Sequence, residues 1–210
     1  MTLSETAPTK PVTPLQPRPG PAEALADLLA GNRRFAAGRP RYGHHIAEAA
    51  ARSSTQEPYA VVLGCIDSRV PLEAVFDQNF GSICVVRAGG HVLDRSVVGS
   101  VEFAVTELHA PLVVVLGHER CGAVAATVEA LRTGVRPDGS LGYLVEEISP
   151  AVAEVGVDDP EAVDKALRRH VQRTVEQLRA ASHLAAPIAA DKIQVVGAVY
   201  DLDTGVVTLL

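Results

Sequence analysis

Two short clusters hold most of the side chains in this sequence that could do chemistry: Cys65-Ile66-Asp67-Ser68-Arg69 and His118-Glu119-Arg120-Cys121. Each follows directly on an apolar run, Tyr59 to Gly64 (YAVVLG) for the first and Leu112 to Gly117 (LVVVLG) for the second. Two thiolates and one imidazole are a known three-ligand set for catalytic zinc, with the fourth tetrahedral position left to water. A single Cys or His at a strand end is commonly packing, but three soft donors in equivalent places after two separate strands favour a metal. Cys121 also precedes an expected helix, whose N-terminus favours the thiolate form. Beside such a metal, Asp67 has two options: it accepts a hydrogen bond from a water ligand, or it takes the fourth position itself. Arg69, always charged and fork-shaped, decides between them by holding Asp67 away.

The elements that must position these clusters are legible from the apolar pattern. The runs Tyr59 to Gly64, Ile83 to Val86 and Leu112 to Gly117 are unbroken rather than alternating, as in parallel strands covered on both faces. Between the second and third, Ser96 to His109 carries Val97, Val101, Ala104, Val105 and Leu108 at helical spacing, the crossover that parallel strands require. Ala22 to Ala37 places Leu25, Leu28, Leu29 and Phe35 on one stripe and stops at Gly38 before Pro40. Gly122 to Arg132 is a further helix. Asp159-Pro160-Glu161 opens a long one, with Asp as N-cap, Pro at the first helical position, and Val163, Leu167, Val171, Val175 and Leu178 on its buried side. Ile193 to Tyr200, a turn at Asp203-Thr204-Gly205 and Val206 to Leu210 form a closing hairpin. The expected fold is α/β: a mostly parallel central β-sheet flanked by helices, with an N-terminal helical arm and a C-terminal β-hairpin. Both clusters then sit at carboxyl ends of parallel strands, where open sheets place their sites; if the two strands are neighbours, Cys65, His118 and Cys121 meet.

Composition narrows the function classes. With 210 residues, 47% of them hydrophobic and 21% charged, the chain can bury a sizeable core, read as one domain over residues 22–210 behind a disordered Pro-rich tail over residues 1–21. A net charge of -6 with no basic run gives no footprint for nucleic acid. No apolar stretch reaches the roughly 18 residues of a membrane span, and the tail lacks the pattern of a secretory signal, so a cytoplasmic protein is expected. Three cysteines in such a chain argue against a disulfide framework. Cys84, inside an expected strand, reads as a small buried hydrophobe. Gly89-Gly90 lacks the spacing of a phosphate loop. His44, His45, His91 and His109 are candidate proton shuttles by residue type, with none assigned as catalytic.

The pair C-x-D-S-R and H-x-x-C, each half after an apolar strand, resembles the β-class carbonic anhydrases of bacteria, and a Gly31-Asn32-x-Arg34-Phe35 element matches the end of their N-terminal helix. The resemblance implies one Zn2+ per chain on Cys65, His118 and Cys121, with Asp67 and Arg69 as a gating dyad and Asp67 a ligand only in a closed state. It implies reversible hydration of carbon dioxide to bicarbonate by zinc-bound hydroxide, with Gln56 orienting the substrate and Gly122 beside it. It implies a homodimer, or a larger assembly of dimers, with each site at the subunit interface. Arg87 and Tyr200 match two of three residues of a bicarbonate-regulation pocket, whose tryptophan is replaced by Val62. Two other functions stay open on the residues alone: hydrolysis of carbonyl sulfide or carbon disulfide on the same fold, and a non-catalytic zinc or thiol redox module in which Cys65 and Cys121 pair on oxidation.

Overall fold

The computed structural model describes residues 19–210. Most of the tail read over residues 1–21 therefore lies outside the described residues, and the first helix, α1 (Pro21–Ala36), begins at the tail's last proline. After a short α2 (Ile46–Ala51), four parallel strands follow: β1 (Ala60–Cys65), β2 (Ile83–Ala88), β3 (Leu112–His118) and β4 (Gln194–Tyr200). A short β5 (Val207–Leu209) returns antiparallel to β4, giving the order β2-β1-β3-β4-β5. β1 lies between β2 and β3, so successive connections leave it in opposite directions. The crevice at the carboxyl ends of β1 and β3 is thus the topological switch point of the sheet.

Two helical layers explain the unbroken apolar runs. Val62, Leu112, Val114 and Leu116 face α1 and the one-turn α3 (Leu72–Val75), while Val61, Leu63, Val113 and Val115 face α4 (Arg95–Thr106), α7 (Ala162–Ala180) and α8 (Ser182–Ala189). β2 departs from expectation: it is the edge strand, with one neighbour, and its residues, Cys84 among them, are only half-buried or exposed. A third cluster caps the carboxyl edge. There α5 (Gly122–Thr133), α6 (Ser140–Val155) and α7 pack Val124, Val128, Ile148, Val152 and Leu167 around Cys65 and Cys121. The long helix starts later than Asp159 predicts. Asp159 Oδ1 accepts the Glu161 amide in a turn, and regular helix begins at Ala162, so the aspartate caps the turn and Pro160 lies outside the helix.

The Gly-Asn-x-Arg-Phe element docks α1. A Cβ on Gly31 would stand 1.8 Å from the Phe76 carbonyl oxygen, so only glycine permits this approach. Asn32, 3% exposed, donates to the Val75 and Gly205 carbonyls and accepts from the Val207 amide. Arg34 pairs with the buried Asp77. One side chain thereby ties the arm to α3 and to the closing hairpin.

Candidate metal centre

Cys65 ends β1, His118 ends β3, and Cys121 is the residue ahead of α5. Because β1 and β3 are hydrogen-bonded neighbours, the sulfurs of Cys65 and Cys121 and a ring nitrogen of His118 all lie within 4.8 Å of one another, and all three residues are buried. His118 Nδ1 pairs with the Glu119 carbonyl at 2.9 Å, which makes it the protonated nitrogen and leaves a lone pair on Nε2. That Nε2 is buried without a hydrogen-bond partner. An unpartnered buried imidazole nitrogen facing two thiols is costly unless something binds there, and a donor set of two sulfurs and one nitrogen fits zinc.

The two thiols are unlike. The Cys65 thiol is pulled down to about 4, first by the hydrogen bond from Cys121 and then, against its burial, by His118 and the Gly90 amide. Cys121 is pushed up by that same bond and by burial. The helix N-terminus acts on Cys121 in the expected direction through the Val124 and Ala123 amides, but the bond to Cys65 and burial outweigh it. Burial opposes charge on His118, yet the Cys65 sulfur beside it raises the imidazole above its ordinary value.

Asp67 and Arg69 form a closed pair. Arg69 donates Nε to Oδ1 at 2.9 Å, Nη2 to Oδ2 at 2.7 Å and its backbone amide to Oδ1 at 2.9 Å. Arg69 holds the Asp67 carboxyl well below the usual carboxylate range. Oδ2 stays 3.8 Å from His118 Nε2, beside the three donors and fixed by the guanidinium. Ile66, Gly122, Ala123, Ala126, Leu141 and Leu144 line an apolar pocket of ≈ 430 Å³ that opens onto Cys65 and Asp67.

Other residues singled out in the sequence lie elsewhere. Gln56 is exposed, in the segment ahead of β1, so a whole six-residue strand, roughly 20 Å, separates it from Cys65 in its own chain. Arg87 on β2 and Tyr200 on β4 are separated by β1 and β3. Arg87 gives Nε to the Cys65 carbonyl at 2.8 Å and Nη2 to the Asp67 carbonyl at 2.6 Å, clamping the C-x-D loop. His91 is fully buried and held well below the imidazole range, first by burial and then by His170. His44 bonds the Gln78 carbonyl.

Three features have no expectation to meet. Helix α6 walls the pocket through Leu141 and Leu144; Arg120 adopts φ 53 in the H-x-x-C turn and bridges to Asp203 in the hairpin turn; and the Gly90 amide reaches the Cys65 sulfur. Only α6 had a local signal, the helical spacing of Leu141, Leu144, Val145, Ile148 and Val152.

Residues 60–207 match the family model described as carbonic anhydrase. The chain belongs to the β-carbonic anhydrase family. This family member is 43% identical over 191 residues to "Carbonic anhydrase 2" of Mycobacterium tuberculosis strain H37Rv, covering 90% of this chain and 92% of that protein. It is 43% identical over 195 residues to the carbonic anhydrase of Mycolicibacterium smegmatis, covering 92% and 95%. Among solved structures, a β-carbonic anhydrase of Aspergillus fumigatus superposes with a TM-score of 0.69 at 26% identity, covering 89% of this chain and 90% of that one. A tetrameric β-carbonic anhydrase of Sordaria macrospora superposes with a TM-score of 0.71 at 20% identity, covering 89% and 96%, which bears on the fold alone. No helix among the described residues is long and apolar enough to cross a membrane.

Proposed function

We propose that this β-carbonic anhydrase hydrates carbon dioxide reversibly to bicarbonate and a proton, with zinc held by Cys65, His118 and Cys121. The observation that carries the reading is the buried, unpartnered His118 Nε2 facing two sulfurs, with an ionised Asp67 fixed beside them. Zinc in such a set supplies Lewis acidity and makes water acidic enough to attack carbon near neutral pH.

The chain's own residues do the rest. Asp67, kept charged and pinned by Arg69, accepts a hydrogen bond from the entering water and so turns its lone pair toward the substrate. The Arg69 grip also keeps Asp67 from serving as the fourth ligand. Arg87 fixes the loop that carries Cys65 and Asp67. The apolar wall of Ile66, Ala123, Ala126 and Leu144 suits an uncharged, linear substrate and disfavours the anionic product, which favours release. His91 is fully buried and held neutral by that burial, so we assign the product proton to another group. Gln56 reaches a site only from a second copy, and we assign it to substrate orientation in a cytoplasmic homodimer or larger assembly of dimers.

Stopped-flow hydration of carbon dioxide tests this, run beside turnover of carbonyl sulfide and carbon disulfide, on the zinc-loaded protein and on Cys65→Ser. The expected result is fast hydration, little turnover of the sulfur analogues, and loss of both zinc and rate in the variant. Faster turnover of a sulfur analogue, or an unchanged rate in Cys65→Ser, overturns it.

A further inference from the structure

Two buried histidines lie behind the metal centre. His91 is fully buried and His170, on α7, is 4% exposed; their rings stack with centroids 4.5 Å apart and planes at 33°. Burial pushes His170 down to about 4, so it is neutral near pH 7. Its Nε2 lies 2.9 Å from the Gly90 carbonyl, an atom that only accepts, so Nε2 carries the proton and donates. The amide of the same Gly90 donates to the Cys65 sulfur at 3.4 Å.

The segment between these two bonds is strained. Gly90 has φ 58 and His91 φ 47, two successive residues in the left-handed region, the second with a side chain. For His91, which carries a side chain, such a conformation is strained and persists only where the surroundings fix it. A Cβ on Gly90 would stand 2.8 Å from Ile148 and 3.1 Å from Ala123, so the turn is pressed against α5 and α6. On the other side, the hydrogen bond that holds it comes from His170. Neither ring nitrogen of His91 has a hydrogen-bond partner among the described residues, so its contribution is the stack.

We propose that His170 is a positioning residue for the metal centre: its Nε2–H anchors the Gly90 carbonyl and thereby keeps the Gly90 N–H on the Cys65 sulfur. That N–H draws charge from the thiolate and holds Sγ in one orientation, so the anchor sets how strongly Cys65 donates to a metal and how firmly the metal is held. This rests on the reading of Cys65 as a metal ligand.

Cobalt-substituted protein gives the test, compared among wild type, His170→Phe and His170→Gln. Phenylalanine keeps a ring for the stack but has no donor; glutamine places an amide N–H the same number of bonds from the backbone as Nε2. In His170→Phe the thiolate-to-cobalt charge-transfer band should move to longer wavelength and cobalt affinity should fall about tenfold or more. His170→Gln should restore both. An unchanged band and affinity in His170→Phe, or a change that glutamine does not reverse, overturns the proposal. Absence of any thiolate-to-cobalt band in the wild type would instead sink the ligand assignment itself. Should His170→Phe not fold, long-range proton–nitrogen NMR of the wild type decides: a protonated Nε2 supports the anchor, and a neutral Nδ1–H tautomer, with no hydrogen on Nε2, overturns it.

Discussion

Replacing Asn32 by alanine should destabilise the chain out of proportion to the few atoms removed. The side chain satisfies three backbone groups: the Val75 carbonyl at 3.0 Å, the Gly205 carbonyl at 2.8 Å and the Val207 amide at 2.9 Å. The bonds to Val75 and Val207 are buried, whereas Gly205 is half-exposed and can turn to water. A buried backbone group left without a partner costs roughly 1–3 kcal/mol, so two of them, with a small contribution from the third, make about 3–5 kcal/mol. That is a large share of the 5–15 kcal/mol typical of a domain. Urea denaturation of Asn32→Ala and wild type, at equal protein and zinc concentrations, should show a lower midpoint with little change in slope. Hydrogen exchange should show the Val207 amide as the first of the hairpin to lose protection, while the folded protein keeps its zinc. A loss below about 1 kcal/mol would refute the reasoning, because it would mean the three groups find other partners at no cost.

Three further outcomes follow from the geometry. Arg69→Ala removes two of the three bonds on Asp67, so zinc content should hold while hydration falls roughly 10–100-fold; an unchanged rate would show that Asp67 needs no restraint. In the metal-free protein Cys121 keeps its proton and His118 titrates above its usual value, so zinc binding must release protons. Apparent affinity should therefore weaken about tenfold per proton for each unit that pH falls, measurable by calorimetry in buffers of different ionisation enthalpy; affinity independent of pH would contradict this. His170 stays neutral in the fold down to about 4, whereas in the unfolded chain it takes a proton near the usual imidazole value of about 6.5. Its contribution is thus present above pH 6.5 and lost between there and pH 4, on the order of 3 kcal/mol, and denaturation curves for His170→Phe should show a shallower loss over that window.

The parts of the site that the sequence exposes are those where local pattern and chemistry coincide. β1 and β3 are buried on both faces, so their apolar runs are unbroken, and the last residue of each, Cys65 and His118, is a proposed ligand. β2 carries a similar run yet forms the edge, because position in a sheet depends on pairing rather than on composition. Helix α6 is hidden by Gly139 and Gly142 near its start and Pro150 inside it, although its apolar spacing is helical. Asp159 carries a capping signature, but the Asp-Pro-Glu segment closes as a turn before the helix. The His170 to Gly90 bond joins residues 80 apart and leaves no local trace. The same holds for Arg87, whose role as a clamp depends on β2 lying beside β1.

The central claim is that Cys65, His118 and Cys121 hold one zinc with a corner free for water, and zinc-edge X-ray absorption of the purified, zinc-loaded protein addresses it directly. The account predicts two sulfur neighbours near ~2.3 Å and two lighter ones, nitrogen and oxygen, near ~2.0 Å, with the bound-zinc signal lost in Cys65→Ser. A shell of nitrogen and oxygen alone, or a spectrum that Cys65→Ser leaves unaltered, would contradict it.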